Sequence, residues 1–366
     1  MKPLSILPGA LATGIGVMSL TAISVAGLTP LGFLGVADAF GGSAQAPVPA
    51  KTAPVKTAAP VKTWTMPKTP WGDPDLEGSY TNKNENGIPL ERPSQFQGKT
   101  SGEIPQSELA EIVRQRQQEA VERAPGIGGA ETGAGPVHWY ESFGAENSRP
   151  WLIVDPPDGK IPSLTPEART REGALRDARR GRGEADSTDD RSLYDRCITR
   201  GLPGSMMPAI YGNSYQITQA PGYVAIRYEM IHETRLIPVD GRPHVGKDVR
   251  LYMGDPRGHW DGNTLVVETT NFNGKIAADI VGYGSPDRGA SESLRIVERF
   301  TPSAANVVLW SVTLDDPLTW TRPWTFAMNL TRDATQQPFE YACHEGNYGL
   351  RNILSAARAE EATAAR

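Results

Sequence analysis

The sequence predicts a mainly β fold: an antiparallel up-and-down barrel, with a β-sandwich as the alternative, preceded by a Pro/Gly-rich, partly helical segment that wraps it. Three observations lead there. From Tyr215 onward, apolar and polar residues alternate with period two in YQITQAPGYVAIRYEMIHETRLIPVDG, TLVVETTNF, SLRIVERF, NVVLWSVTLDD and TWTRPWTFAMNLT, the pattern of strands with one dry face. Between them stand Asp240-Gly241 and Asp261-Gly262-Asn263, residues suited to tight hairpin turns. No helical pattern intervenes, so consecutive strands are expected to pair antiparallel.

The elements run in chain order. Residues 1–39 carry Lys2 and then no charge until Asp38, as in a secretory signal peptide, with Ala37-Asp38-Ala39 the better cleavage site and Ala44-Gln45-Ala46 the poorer one. A retained membrane anchor is the alternative, weakened by the glycines and prolines of the run. Residues 40–63 include the repeat PVPAKTAPVKTAAPVKT, an extended Pro/Ala/Lys linker. Residues 64–190 form the wrapping region with two candidate helices. Gln106 to Arg123 has few apolar positions (Leu109, Ile112, Val113, Ala120) and is placed on the surface. The second has Thr165 as N-cap and Pro166 at N1, with Arg176, Arg179 and Arg180 at its C-terminal end. Residues 191–358 are the barrel, in lipocalin-like form, and 359–366 a disordered tail.

Roughly 320 residues remain after cleavage, enough for one large or two modest domains. The formal net charge of -5 gives no reason to expect nucleic acid as a partner. After signal cleavage no stable membrane insertion is expected, and the oligomeric state is left open. GIGGAETGAG fails the GxGxxG spacing, GYGSPDRG is not a nucleophile elbow, and no CxxC or HExxH occurs, so neither a cofactor nor a metal is expected.

Cys197 and Cys343 are the two cysteines. In an exported chain a disulfide between them is the favoured reading; a nucleophilic Cys343 and a Cys/His metal site are the alternatives. If EYACHEG is a strand, Cys343 and His344 point to opposite faces and cannot form a dyad.

Alternation also places polar residues on dry faces. In GYVAIRYEMIHETRL, Tyr228 and His232 fall with Val224, Ile226, Met230 and Leu236, while Arg227, Glu229, Glu233 and Arg235 fall opposite. Glu298 falls with Leu294, Ile296 and Phe300, and Arg322 falls between Trp320 and Trp324. Glu268 shares a face with Val266 and Phe272. A bulge in any strand would reverse the assignments beyond it.

The strings DRCITRGLPG, YEMIHETRLIPVDGRPH, RGHWDGNTLVVETTNF, ERFT, DDPLTWTRPW and YACHEGNYG resemble those of a family of exported bacterial proteins with no established activity. The resemblance spans roughly residues 64–358 and implies no reaction. It marks Arg196, Arg242, His244, Arg322, His344 and Glu345 as lying inside shared strings.

Two functions are expected. One is a periplasmic or secreted, cofactor-independent enzyme performing acid–base chemistry (lyase, dehydratase, isomerase or hydrolase) on a small apolar or aromatic molecule with an anionic or polar group. His232 would carry the proton, Glu298 would orient it or act as second carrier, and Tyr228 would donate to an oxygen. Arg322 would hold the anion between Trp320 and Trp324, with Glu268, Arg242, His344 and Glu345 as further substrate contacts. The other is a non-catalytic carrier using the same barrel. His232 within reach of Glu298 or Tyr228 and open to a cavity would favour the enzyme.

Overall fold

The computed structural model describes residues 64–122, 141, 149–209, 211–275 and 290–365. The expected signal peptide, the linker, GIGGAETGAG and GYGSPDRG lie outside them. The described residues form a ten-stranded antiparallel sheet that nearly closes into a barrel, with three helices. The strands are β1 (Gly78–Thr81), β2 (Ile153–Asp155), β3 (Ser214–Ala220), β4 (Tyr223–Tyr228), β5 (Thr234–Pro238), β6 (Asp255–Asp261), β7 (Thr264–Thr270), β8 (Arg295–Ala304), β9 (Val307–Asp315) and β10 (Trp324–Arg332). The helices are α1 (Gln106–Glu122), α2 (Pro166–Ala178) and α3 (Tyr348–Ala364).

The sheet order is β5-β4-β3-β1-β10-β9-β8-β7-β6, with β2 also paired to β10. From β6 to β10 each strand pairs with the next in sequence, with short turns joining β6 to β7 and β8 to β9; Gly262, in the first of these turns, takes a φ of +60°, the left-handed region that glycine enters without penalty. The N-terminal region does more than wrap. Its β1 sits between β3 and β10, with Tyr80 opposite both Tyr215 and Arg332, so a segment distant in sequence completes the wall.

Inside, Tyr215, Ile226, Tyr228, Phe300, Trp310, Trp324, Phe326 and Met328 are fully buried, the inward half of each alternating strand. Trp310 meets Phe326 edge-on with ring centroids 5.6 Å apart. β5 and β6 face each other without pairing, and side chains close that seam. A Cβ at Gly258 of β6 would stand 2.8 Å from Val239 and 2.9 Å from Ile237, so the strands approach as closely as a glycine allows.

Three further expectations change. α1 docks through Leu109 and Val113 against Phe96, Ile104 and Trp151, so it packs on a small second core and is not merely a surface helix. α2 forms as expected, Thr165 Oγ1 accepting from Ala168 N at 3.0 Å. EYACHEG is not a strand but a run of turns leading into α3, which continues to Ala364 across the segment expected to be a disordered tail. Cys343 nonetheless reaches Cys197: the two form a disulfide with Cα atoms 5.5 Å apart across a separation of 146 residues.

Candidate functional site

The polar centre of the barrel is an ion pair that the sequence pattern does not anticipate. Glu298 of β8 points inward as expected and is completely buried. Its partner is Arg235 of β5, with Nη1 donating to Oε2 at 2.6 Å and Nη2 to Oε1 at 3.0 Å. Trp310 Nε1 donates to the same carboxylate at 3.1 Å. Because β5 and β8 lie on opposite sides of the unpaired seam, this fork ties the barrel together from within. Burial works against the guanidinium charge of Arg235, but the Glu298 carboxylate outweighs it and holds the pKa above the ordinary arginine value. Tyr228 lies beside the pair; burial pushes its phenol up, so it stays neutral.

Arg235 is inside because the strand is interrupted. Ile231 and His232 take φ values of 61° and 41°, a left-handed pair that ends β4 in a short 3-10 turn and reverses the facing of the residues beyond it. Arg235 and Ile237 therefore turn inward, and Leu236 is exposed. His232, expected inside, is exposed, and its Nδ1 bonds the Tyr341 carbonyl at 2.7 Å. It lies apart from the Glu298 fork.

Other expected site residues also lie elsewhere. Arg322 precedes β10, so the alternation of that strand does not extend to it; it is half exposed, and its Nη2 donates to both Asp155 carboxylate oxygens, at 3.1 and 3.0 Å. Trp320 and Trp324 are buried and meet edge-on at 5.5 Å, but they do not sandwich the guanidinium. Glu268 is on the outer face with Val266, bonded to Arg295 through Nε at 2.7 Å. Phe272, expected on that face, is buried because Asn271 before it takes a positive φ. Burial would raise the Glu268 pKa, but Arg295 and the neighbouring His244 hold it below the usual carboxylate value. His344 and Glu345 are exposed in the turn beside the disulfide. Among the described residues no cluster of three or more His, Cys, Asp or Glu is placed to hold a metal.

A cleft of about 480 Å³ opens at the β5/β6 seam, a volume that suits a small molecule. Its walls include Glu233, Arg235, Arg242, Asp255 and Arg257, with Leu236, Leu251, Tyr252 and Met253 as apolar surface. Arg242, an expected contact residue, does line it, paired with Asp240 and donating to Tyr223 Oη at 2.6 Å. Arg257 Nη1 donates to Asp255 Oδ1 at 2.6 Å. The other Asp255 oxygen stands 2.9 Å from His244 Nδ1, whose Nε2 lies 3.5 Å from Glu268. Glu233 accepts from the Thr199 hydroxyl at 2.8 Å, and burial raises its carboxyl pKa, opposed by that bond and by Arg235.

Glu233, Arg235, Asp255 and Arg257 are not among the expected site residues. Alternation assigns Glu233 and Arg235 to the outer face, and only the bulge at Ile231 and His232 corrects that.

No family model matches the chain, and no curated protein matches it. A solved structure that it resembles is that of a secretary abundant heat soluble (SAHS) protein from Ramazzottius varieornatus, at 11% identity, over 40% of this chain and 90% of that one, with a TM-score of 0.23. A likeness of that degree adds no argument about fold or function. Among the described residues no helix is long and apolar enough to cross a membrane.

Proposed function

We propose that the protein is an exported, periplasmic or secreted binding protein that holds a small molecule in the cleft at the β5/β6 seam. The observation that carries this reading is the cleft itself, lined by arginines that have carboxylate partners, by the half-buried Glu233 carboxyl, and by Leu236, Leu251, Tyr252 and Met253. The disulfide suits an oxidising compartment. The acid–base centre expected at His232 is not assembled, since that imidazole bonds Tyr341 and lies apart from Glu298 and Tyr228. Binding without turnover is therefore the better-supported reading of the two.

A second reading, acid–base catalysis in the same cleft, is favoured by one observation: burial raises the pKa of Glu233, as suits a proton carrier. Screening the full chain against a small-molecule library by thermal shift, followed by product analysis of each stabilising compound, separates the two. Leu251→Trp places an indole on the cleft wall at an exposed position and should abolish stabilisation by a hit while leaving the unliganded Tm unchanged. Hits that stabilise Leu251→Trp and Leu236→Trp as strongly as the wild type would remove the cleft from the account.

A further inference from the structure

The charges around the seam cleft do not balance, and the imbalance says what kind of ligand fits. Each arginine that lines the cleft already has its own carboxylate: Arg235 has Glu298, Arg242 has Asp240, and Arg257 has Asp255. Glu233 is different. It lines the cleft, and among the described residues its one side-chain hydrogen bond comes from the neutral Thr199 hydroxyl and it forms no ion pair. Arg235 acts on it only from beyond ion-pair distance, its fork being engaged by Glu298. A half-buried carboxylate without a counter-ion is costly, and a cationic donor supplied by a ligand relieves that cost. An anion entering the cleft would instead compete with Asp240 or Asp255 for guanidiniums that are already engaged, and would meet the charge of Glu233.

We propose that the cleft takes an organic cation, an ammonium group on an apolar body, with its nitrogen at the Glu233 carboxylate. This rests on the cleft being the ligand site. The apolar body lies along Leu236, Leu251 and Met253, and Tyr252 also lines the cleft. Thr199 holds one carboxylate oxygen through a hydroxyl that also lies 3.4 Å from the Met253 sulfur, so the carboxyl is held in place before the ligand arrives.

The test is calorimetric titration of the full chain with three probes of similar shape: phenethylammonium, phenylacetate and phenethyl alcohol. Phenethylammonium is expected to bind at least about tenfold more tightly than the other two, the effect of one charge-assisted contact. Glu233→Gln should weaken it by about tenfold or more with circular dichroism and Tm preserved, and Glu233→Asp should restore part of the affinity. Phenylacetate or the alcohol binding as well as the amine, no binding of the amine at millimolar concentration, or amine affinity unchanged in Glu233→Gln would each overturn the cation proposal. Amine binding that survives Leu251→Trp would instead show that the cleft is not the site, so the two failures are distinguishable.

Discussion

Glu298→Gln removes one charge from the barrel interior and changes little else in volume. In the wild type Glu298 accepts two bonds from Arg235, at 2.6 and 3.0 Å, and one from Trp310 at 3.1 Å, with both ions of the pair almost wholly inaccessible to water. Glutamine keeps an acceptor for Trp310 but leaves the guanidinium buried without a counter-charge. We predict a loss of about 3–5 kcal/mol, the usual cost of breaking a buried pair by removing one member. At about 2–4 °C per kcal/mol for a domain of this scale, Tm should fall by at least about 6 °C. Glu298→Leu should lose roughly 1 kcal/mol more, because the Trp310 indole then also lacks an acceptor. The double variant Arg235→Met/Glu298→Leu should recover most of the loss, since no buried charge remains. Urea unfolding followed by tryptophan fluorescence measures these four proteins together with Arg235→Met, the single variant that closes the cycle. A cost below about 1 kcal/mol for Glu298→Gln, or strict additivity in the double variant, would refute the idea that this pair ties β5 to β8 across the seam.

Four further outcomes are expected. A chain starting at Ser192 should be insoluble or lack a cooperative transition, because it loses β1 from between β3 and β10 and β2 from beside β10; a melting temperature close to that of the full chain would contradict this. Reducing Cys197–Cys343, or replacing both residues by serine, should destabilise by up to roughly 4–5 kcal/mol in the chain-entropy model for a separation of 146 residues, and intact mass with and without reduction verifies the bond. Gly258→Val should cost about 1–3 kcal/mol by overpacking, since even its Cβ would meet Val239 and Ile237 within 2.9 Å; unchanged stability would mean that the seam is looser than described. Glu233→Gln should leave the fold intact and, if anything, raise Tm slightly at neutral pH. The folded pKa of Glu233 is raised by burial, so its ionised form opposes folding, a cost absent below the ordinary carboxylate pKa of about 4.3 and complete only above the raised value. The gain should therefore vanish in acid, and a gain independent of pH would refute the assignment.

Much of the barrel is legible in the sequence because its strands are long and half-buried. β7 to β10 read directly from alternation, and the inward placement of Glu298 rests on that ground alone. Four features are not legible, each for a definite reason. β1 has four residues, GSYT, too few to establish a period, so its place in the wall has no signal. The outward turn of His232 and inward turn of Arg235 depend on Ile231 at φ 61°, a conformation that β-branched residues rarely adopt and that no local composition announces. The inward placement of Arg322 extends an alternation past the point where β10 begins. The disulfide is legible from compartment and count, although the segment expected to orient Cys343 as a strand is a turn. The cleft is not legible, because it forms where β5 and β6 fail to pair, and a missing ladder leaves no mark on either strand.

Methyl NMR of the full chain, labelled at leucine and methionine, reads whether a small molecule sits in the seam cleft. On titration with a ligand found by thermal shift, the largest shift changes are expected on Leu236, Leu251 and Met253, which line the cleft. Largest changes on Leu350 and Leu354 of α3, with the three cleft methyls unmoved, would contradict it.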